Sequence, residues 1–523
     1  MRIDDAFWRS VRLYPQTTAV VDDDRSLSYA ELGQEVARLC ALMHGTGVTA
    51  GDRVAVLAKN RWAYLALYMA AASLDAVVVP LNWRLSVPEL SWILKDAAPR
   101  MVVAAAPFAQ QIDRLRQEVE GVTDWVALDE APEGWSSLDA LLAQASAHGT
   151  AHPPQPSRLT DASEFAQVYT SGTTGRPKGA LLTHANVSAG VIGLIQDFDM
   201  RPGQDKFMQV TPLFHVGGLL ATMICMALSV TARLLPEFEP GAAARCMATE
   251  GITQTLMVPA MLRWMLTEPS LSGLQFPALR TVVYGAAPMP EQTLLMAHER
   301  LRCRFVQGYG LSETGGILTV LSPQDHVLDG SAAARARLVS AGREMLGAQV
   351  RVADPDGQDV PTGELGEVLA RGPCVSPGYW NLPEATKASH RDGWFWTGDI
   401  GFLDEQRFLT IVDRSKDMIV LGGENIYPRE IELALLTHPA IADCAVIGIP
   451  HETWGEEVLA FVALQPGATF EPRVYIAHCR QHLARFKCPT QVLQLDAIPR
   501  NAAGKIEKPK LREPYWAGQT KRV

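Results

Sequence analysis

The sequence predicts an α/β protein: a large N-terminal domain of doubly wound sheets with a small β-rich subdomain, followed by a smaller α+β C-terminal domain. Three observations predict it. A chain of 523 residues is too long for one hydrophobic core. Over the first hundred residues, short apolar runs alternate with segments of helical periodicity, the pattern of repeated β-α-β units and a mostly parallel sheet. Between 340 and 412 the pattern changes to short strands separated by turns (VRVADPDGQDVP, GEVLARG, FLTIV). The expected divisions are a large domain over 1–413, with its α/β part over about 1–335 and its β-rich part over about 336–413, and a small domain over 414–523.

The elements follow in order. TAVV (18–21) is a strand. Ser28 and Glu31 form an S-x-x-E capping box, after which Leu32, Val36, Leu39 and Met43 share one helical face. VAVLA (54–58) is a buried strand, a helix covers 60–74, and VVV (77–79) is the next strand. Ser86 and Glu89 repeat the capping box and start a helix that ends near Ala98-Pro99, before the strand MVVAA (101–105). None of these residues suggests chemistry, and the region reads as scaffold. GTAHPPQPSR (149–158) is Pro-rich and polar, a linker composition.

YTSGTTGRPKG (169–179) follows. The hydroxyls of Thr170, Ser171, Thr173 and Thr174 and the glycines Gly172, Gly175 and Gly179 surround the basic residues Arg176 and Lys178. Glycine lets backbone N–H groups turn inward, short hydroxyls add donors without bulk, and an ammonium supplies a point charge for phosphate. The stretch lacks Walker A spacing, and the apolar runs FAQVY (165–169) and ALLTH (180–184) flank it as two strands, where a Walker loop leads into a helix. It reads as a phosphate-gripping loop; a polar surface linker is the alternative.

Thr183 can cap a helix through about Asp197. Residues 207–232 lack Asp, Glu, Lys and Arg over a length that could span a membrane. Pro212, His215 and Gly217-Gly218 interrupt the run, so a buried loop and helix are expected rather than stable membrane insertion. TLMVPAMLRWM (255–265) is a strand running into a helix. TVVYGAAPMP (281–290) is a strand ending in small residues, where a flat ring can approach the backbone; an ordinary turn is the alternative. In QGYGLSETGG (307–316), Tyr309 offers a stacking face and Ser312 a hydroxyl. Glu313 is a carboxylate in a glycine-rich turn, suited to a Mg2+ ion that takes its other ligands from phosphate.

The C-terminal part reads as a helix over 428–436, strands ADCAVIGIP and EEVLAFVAL, a helix YIAHCRQHLARF and a strand near QVLQL. His478 and His482 are spaced i, i+4 around Cys479, but no carboxylate or further His completes a metal site locally, so a solvated helix face is favoured. Net charge −10 argues against a nucleic-acid partner. Eight cysteines without a C-x-x-C pair fit a reducing, cytoplasmic compartment, and the acidic start MRIDDAFWRS does not read as a signal peptide.

In this order, over nearly the whole chain, these motifs resemble those of the adenylate-forming superfamily of acyl-CoA synthetases, luciferases and peptide-synthetase adenylation domains, closest in pattern to bacterial fatty-acyl- or aryl-CoA ligases. The resemblance implies ATP, Mg2+ and coenzyme A. It implies that Thr170, Ser171, Gly172, Thr173, Thr174, Gly175 and Lys178 grip the triphosphate, and that Gly285, Ala286, Ala287, Tyr309, Gly310 and Ser312 surround the nucleotide. Ser312 stands where the family usually has Thr. Asp399, in GWFWTGDIG, and Arg414 are implied ribose contacts, and Asp413 the hinge, on the reasoning that neither charged residue there is needed for core contacts. Gly422, Gly423, Glu424 and Asn425 are implied to pass alongside the pantetheine thiol, and Lys505, in IPRNAAGKIEK, to be a mobile catalytic lysine. His215, in TPLFHVGGL, is implied to line the acyl carboxylate; with Lys505, Thr174 and the metal ligand Glu313 it completes the catalytic set.

The implied acyl wall (His215, Gly217, Gly218, Val258, Met261, Tyr284, Gly308, Gly316) offers no Asp, Glu, Lys or Arg, whereas an amino-acid substrate would want a carboxylate for its ammonium. The expected substrate is therefore an apolar monocarboxylic acid, fatty or aryl to arylpropenoic. It would be converted to an acyl-adenylate and then a CoA thioester. Two alternatives share part of the pattern: a luciferase-like enzyme or fatty acyl-AMP ligase that does not use CoA, and a non-catalytic nucleotide-binding protein, which would be expected to lack Glu313 or Lys505. Monomer and homodimer are both open.

Overall fold

The computed structural model describes residues 1–23, 25–129, 131, 135–138, 140–142, 160–170, 177–269, 273–421, 424–500 and 506–517. The chain forms two compact units, one of residues 1–350 with 370–396, the other of 351–369 with 397–523. Position 413 lies inside the second unit, opposite Ile400 in the antiparallel ladder of strands Trp394–Leu403 and Leu409–Arg414.

The first unit contains two sheets. In one, strands Ser136–Ser137, Asp124–Ala127, Met101–Ala104, Arg53–Leu57, Val77–Pro80 and Glu164–Thr170 lie side by side and parallel, and Lys178–Thr183 closes the edge antiparallel. Both capping boxes form. Glu31 Oε2 accepts from Ser28 N–H at 2.7 Å and Glu89 Oε2 from Ser86 N–H at 2.8 Å, starting helices Tyr29–Gly45 and Val87–Ala97. Helix Trp62–Ser73 is buried throughout, in keeping with a helix apolar on every side. Strand Thr18–Val21 leaves this series: it pairs parallel with Thr231–Leu234 in the second sheet, a partner no local pattern could name.

Among the described residues the second sheet has nine strands. Its centre is the parallel series Thr231–Leu234, Lys206–Gln209, Gln254–Met257, Thr281–Gly285 and Arg304–Tyr309. The charge-free run 207–232 resolves into parts of two strands with helix Val216–Leu228 between them. Among the described residues no helix is long and apolar enough to cross a membrane.

In the second unit, strands Glu424–Ile426, Ile419–Leu421, Gly455–Leu464 and Ile441–His451 pair antiparallel in that order or its reverse, and Gln491–Gln494 adds parallel to Gly455–Leu464. Helices Pro428–Leu436 and Pro472–His482 cover one face through Ile431, Leu435, Tyr475 and Cys479. Helix Lys508–Trp516 covers the other through Leu511. All eight cysteines are free thiols.

Candidate active site

Strands Glu164–Thr170 and Lys178–Thr183 are antiparallel, with Thr170 opposite Lys178, so the ladder fixes both ends of the hydroxyl-rich loop. Ser171, Gly172, Thr173, Thr174, Gly175 and Arg176 lie outside the described residues. The returning strand is held on its other side as well: Trp380 N–H donates to Gly179 O at 2.8 Å and Leu181 N–H to Gly378 O at 3.0 Å.

Glu313 sits in a short 3-10 turn, Ser312–Thr314, directly after strand Arg304–Tyr309, and is 8% exposed. Gly315 (φ +62°) and Gly316 (φ +100°) turn the chain back, a path that favours glycine. The Tyr379 hydroxyl donates to Glu313 Oε1 at 2.8 Å, and Ser376 N–H donates to the Glu313 carbonyl at 2.8 Å. The same Tyr379 ring carries the Lys178 ammonium 5.2 Å from its centre. Burial first, then the Glu313 charge, pushes the Tyr379 phenol well above its ordinary pKa, so it stays a donor. Sequence reasoning missed Tyr379; its one signal was Gly-Tyr-Trp at 378–380, an aromatic pair in a turn-rich stretch. It also missed Asn186, whose amide donates to Pro373 O and Val375 O at 2.9 and 2.8 Å and so anchors the segment leading to Tyr379.

The other expected contacts of this unit gather at the carboxyl ends of the parallel strands, where open α/β sheets bind ligands. Gly285 and Gly308 are register partners, and a Cβ on Gly285 would lie 2.3 Å from Gly308 O. A Cβ on Gly310 would lie 2.6 Å from Ile317 Cα; glycine is what lets these strands and the 310–317 turn close together. Ala286 takes φ +64° and is exposed with Ala287. A left-handed non-glycine residue costs about 1–2 kcal/mol, and such strain collects at functional sites. Tyr309 is half-buried opposite Thr319.

His215 is half-buried at the N-cap of helix Val216–Leu228, its ring 4.5 Å from that of Phe214. A Cβ on Gly218 would meet Pro212 O at 2.2 Å, whereas one on Gly217 would meet nothing within 4 Å. A Cβ on Gly316 would lie 3.2 Å from Val216 Cγ2, so the His215–Gly218 turn and the Glu313–Gly316 turn adjoin. Val258 is the N-cap of helix Pro259–Thr267, and Met261 rests against the core below. Tyr284 is placed differently from the rest of the expected acyl wall. Its ring is fully buried in that core, and its hydroxyl pairs with His326 Nε2 at 2.9 Å.

In the second unit, Asp399 is buried opposite Arg414, and Arg414 Nε lies 3.1 Å from Asp399 Oδ1. Asp413, the expected hinge, is packed by its neighbours, contrary to the reasoning that it is not needed for core contacts. It is 9% exposed, and its two oxygens accept Arg414 N–H and Arg429 N–H, each at 2.7 Å. Burial raises its pKa, against the pull of nearby Lys508. Glu424 and Asn425 are exposed on strand Glu424–Ile426. Gly422, Gly423 and Lys505 lie outside the described residues; the chain on either side of Lys505 is pinned by an Arg500–Ile506 bridge and by an Arg500–Asp443 ion pair at 2.7 Å. The fold brings His438 within 5.1 Å of His478, a third imidazole that the sequence did not reveal. Yet His478 Nε2 bonds Thr437 Oγ1 at 2.7 Å, and among the described residues no group of three His, Cys, Asp or Glu could hold a metal.

Magnesium bound largely through phosphate oxygens needs one or two carboxylates, not a three-residue cluster. Glu313 fits that demand: Oε1 is held by Tyr379, while Oε2 has no hydrogen-bond partner among the described residues.

A lysine and a carboxylate joined through one tyrosine, beside glycine-lined strand ends, give the layout of a nucleotide-binding α/β protein. The chain belongs to the AMP-binding enzyme family, whose model matches residues 7–380, and the family's C-terminal domain matches 430–505. It is 37% identical to an indoleacetate–CoA ligase of Aromatoleum aromaticum over 98% of both chains. It is 36% identical to a fatty acid–acyl-carrier-protein ligase of Streptomyces coeruleorubidus, over 97% of this chain and 95% of the relative. Among solved structures, a fatty acyl-CoA synthetase of Mycobacterium tuberculosis aligns with TM-score 0.78 and 34% identity over 99% of both chains.

Proposed function

We propose that the protein is a cytoplasmic, AMP-forming acid–thiol ligase that joins an apolar monocarboxylic acid, fatty or aryl, to coenzyme A through an acyl-adenylate. The observation that carries this reading is the Lys178–Tyr379–Glu313 cluster at the mouth of the hydroxyl-rich loop. Adenylation brings two anions together, so donors and cations must offset the charge that develops on the triphosphate. Lys178 and the loop donors supply part of that compensation, and Glu313 would hold magnesium, which when bound supplies the rest. Lys505 would bridge the attacking carboxylate and the α-phosphate. A pivot near Asp413 would then withdraw Lys505 and present the 422–425 segment to the thiol. Asp399 and Arg414 would take the ribose hydroxyls.

The substrate class rests on the uncharged turn around His215, Gly217 and Gly218 and on relatives named for indoleacetate and for a fatty acid. The second of these is named for an acyl-carrier protein, so a carrier thiol in place of CoA is the second reading. The test is a pyrophosphate-release screen over fatty, benzoic and cinnamic acids with ATP and Mg2+, with CoA, with holo-acyl-carrier protein, or with neither. Stimulation of AMP release by CoA supports the proposal. Stimulation by the carrier protein alone supports the second reading, and pyrophosphate release unaffected by either thiol overturns both.

A further inference from the structure

We propose that Tyr379 is a positioning residue that couples the two charges of the triphosphate site, aiming the second oxygen of Glu313 at the metal and seating the Lys178 ammonium at the start of strand Lys178–Thr183. The inference rests on the reading of Glu313 and Lys178 as the metal and phosphate residues. It adds the group that fixes both.

The geometry is specific. A carboxylate on a short turn can rotate, and rotation would spread its charge over a range of directions. The Tyr379 hydroxyl at 2.8 Å takes Oε1 and leaves Oε2 without a hydrogen-bond partner among the described residues. The Ser376 N–H bond to the Glu313 carbonyl fixes the backbone under that carboxylate, so Glu313 is gripped at both ends by one segment. That segment is itself held. Asn186 bonds two of its carbonyls, and Tyr379 N–H donates to Thr386 Oγ1 at 2.9 Å. Gly378 takes φ +139°, and a Cβ there would lie 2.3 Å from Thr386 Cγ2, so the chain reaches Tyr379 by a path that only glycine follows without strain. The Lys178 ammonium lies over the same ring, 5.2 Å from the centroid and within cation–π range. One side chain thus touches both the carboxylate and the ammonium, while its backbone pairs with the loop's returning strand through the Ala180–Tyr379 bridge. Holding a ligating carboxylate through its second oxygen is how outer partners tune metal sites, and losing such a partner typically lowers metal affinity about 10–100-fold.

Two substitutions separate the roles. Tyr379→Phe keeps the ring beneath Lys178 and removes the hydroxyl; Tyr379→Leu removes both. The readout is the affinity of full-length protein for Mn2+ in the presence of a non-hydrolysable ATP analogue, followed by the electron paramagnetic resonance signal of free Mn2+, with thermal unfolding measured alongside. Tyr379→Phe is expected to weaken Mn2+ binding about tenfold while analogue affinity without metal stays unchanged. Tyr379→Leu is expected to weaken metal-free analogue binding as well. Glu313→Gln runs as the control. If Glu313→Gln leaves Mn2+ binding intact, the metal role of Glu313 is wrong. If Glu313→Gln loses Mn2+ and a folded Tyr379→Phe binds it within twofold of the parent, only the positioning role is overturned. A Tyr379→Phe protein that melts many degrees lower and loses analogue and metal binding together also overturns it, since the residue would then be serving the fold.

Discussion

Replacing Lys508 with methionine tests how the second unit holds its C-terminal helix. Lys508 is 9% exposed and its Nζ lies 2.8 Å from Oε1 of Glu432, itself 3% exposed. Burial pulls the Lys508 pKa down, but Glu432, Asp413 and Asp417 outweigh it and leave the ammonium above its ordinary value, so it is charged at any working pH. Removing one member of a buried pair typically costs about 3–5 kcal/mol because the other charge stays buried. Glu432 Oε1 would keep the Val446 N–H at 3.0 Å, and Arg429 lies 3.8 Å from Oε2, so a loss near the lower end, about 3 kcal/mol, is expected. The assay is hydrogen exchange with peptides from strands Ile441–His451 and Gly455–Leu464, which reports this unit directly. Adding Glu432→Gln should return at least about 1 kcal/mol, since the double variant no longer buries the Glu432 carboxylate without its closest cation. A loss below about 1 kcal/mol in Lys508→Met, or strict additivity with Glu432→Gln, refutes the reasoning.

Three further outcomes are expected. His326 accepts from the Tyr284 hydroxyl and donates to Ser322 O at 2.8 Å, and burial lowers its pKa from 6.5 to about 4. The unfolded chain therefore gains a proton before the native one does, so stability is lost as pH falls from about 6.5 to about 4, by up to about 3 kcal/mol; urea melts of His326→Gln should show a shallower acid slope, and an unchanged slope contradicts this. Gly218→Ala, whose Cβ would lie 2.2 Å from Pro212 O, should cost about 1–3 kcal/mol in thermal or denaturant unfolding, whereas Gly217→Ala, with open space around it, should fold normally and narrow the range of acids accepted. Lys505→Ala should abolish adenylate formation yet spare thioester formation from a supplied acyl-adenylate; equal loss of both half-reactions would contradict the assigned division of labour.

What the sequence revealed was local or patterned. The capping boxes at Ser28 and Ser86 need only partners three residues away, and both form. The two strands on either side of 171–176 were legible because their apolar runs differ so clearly from the hydroxyls between them. Long-range partners were not legible. Strand Thr18–Val21 pairs with 231–234 across two hundred residues of chain, and Tyr379 meets Glu313 from 66 residues away. Asp413 looked like a dispensable surface charge because burial is set by neighbours such as Arg429, which no local pattern brings to it. Tyr284 sits one residue before the glycine turn expected at the adenine, yet strand alternation sends its ring into the core toward His326.

The most direct test of the account is isotope exchange between pyrophosphate and ATP, run with the acid that best releases pyrophosphate and with every thiol left out. Acid-dependent exchange is predicted for the parent chain, falling about 10²–10³-fold in Glu313→Gln as one preorganised contact on the triphosphate is lost. Exchange that persists undiminished in Glu313→Gln, or turnover of ATP to ADP and phosphate without exchange, would contradict it.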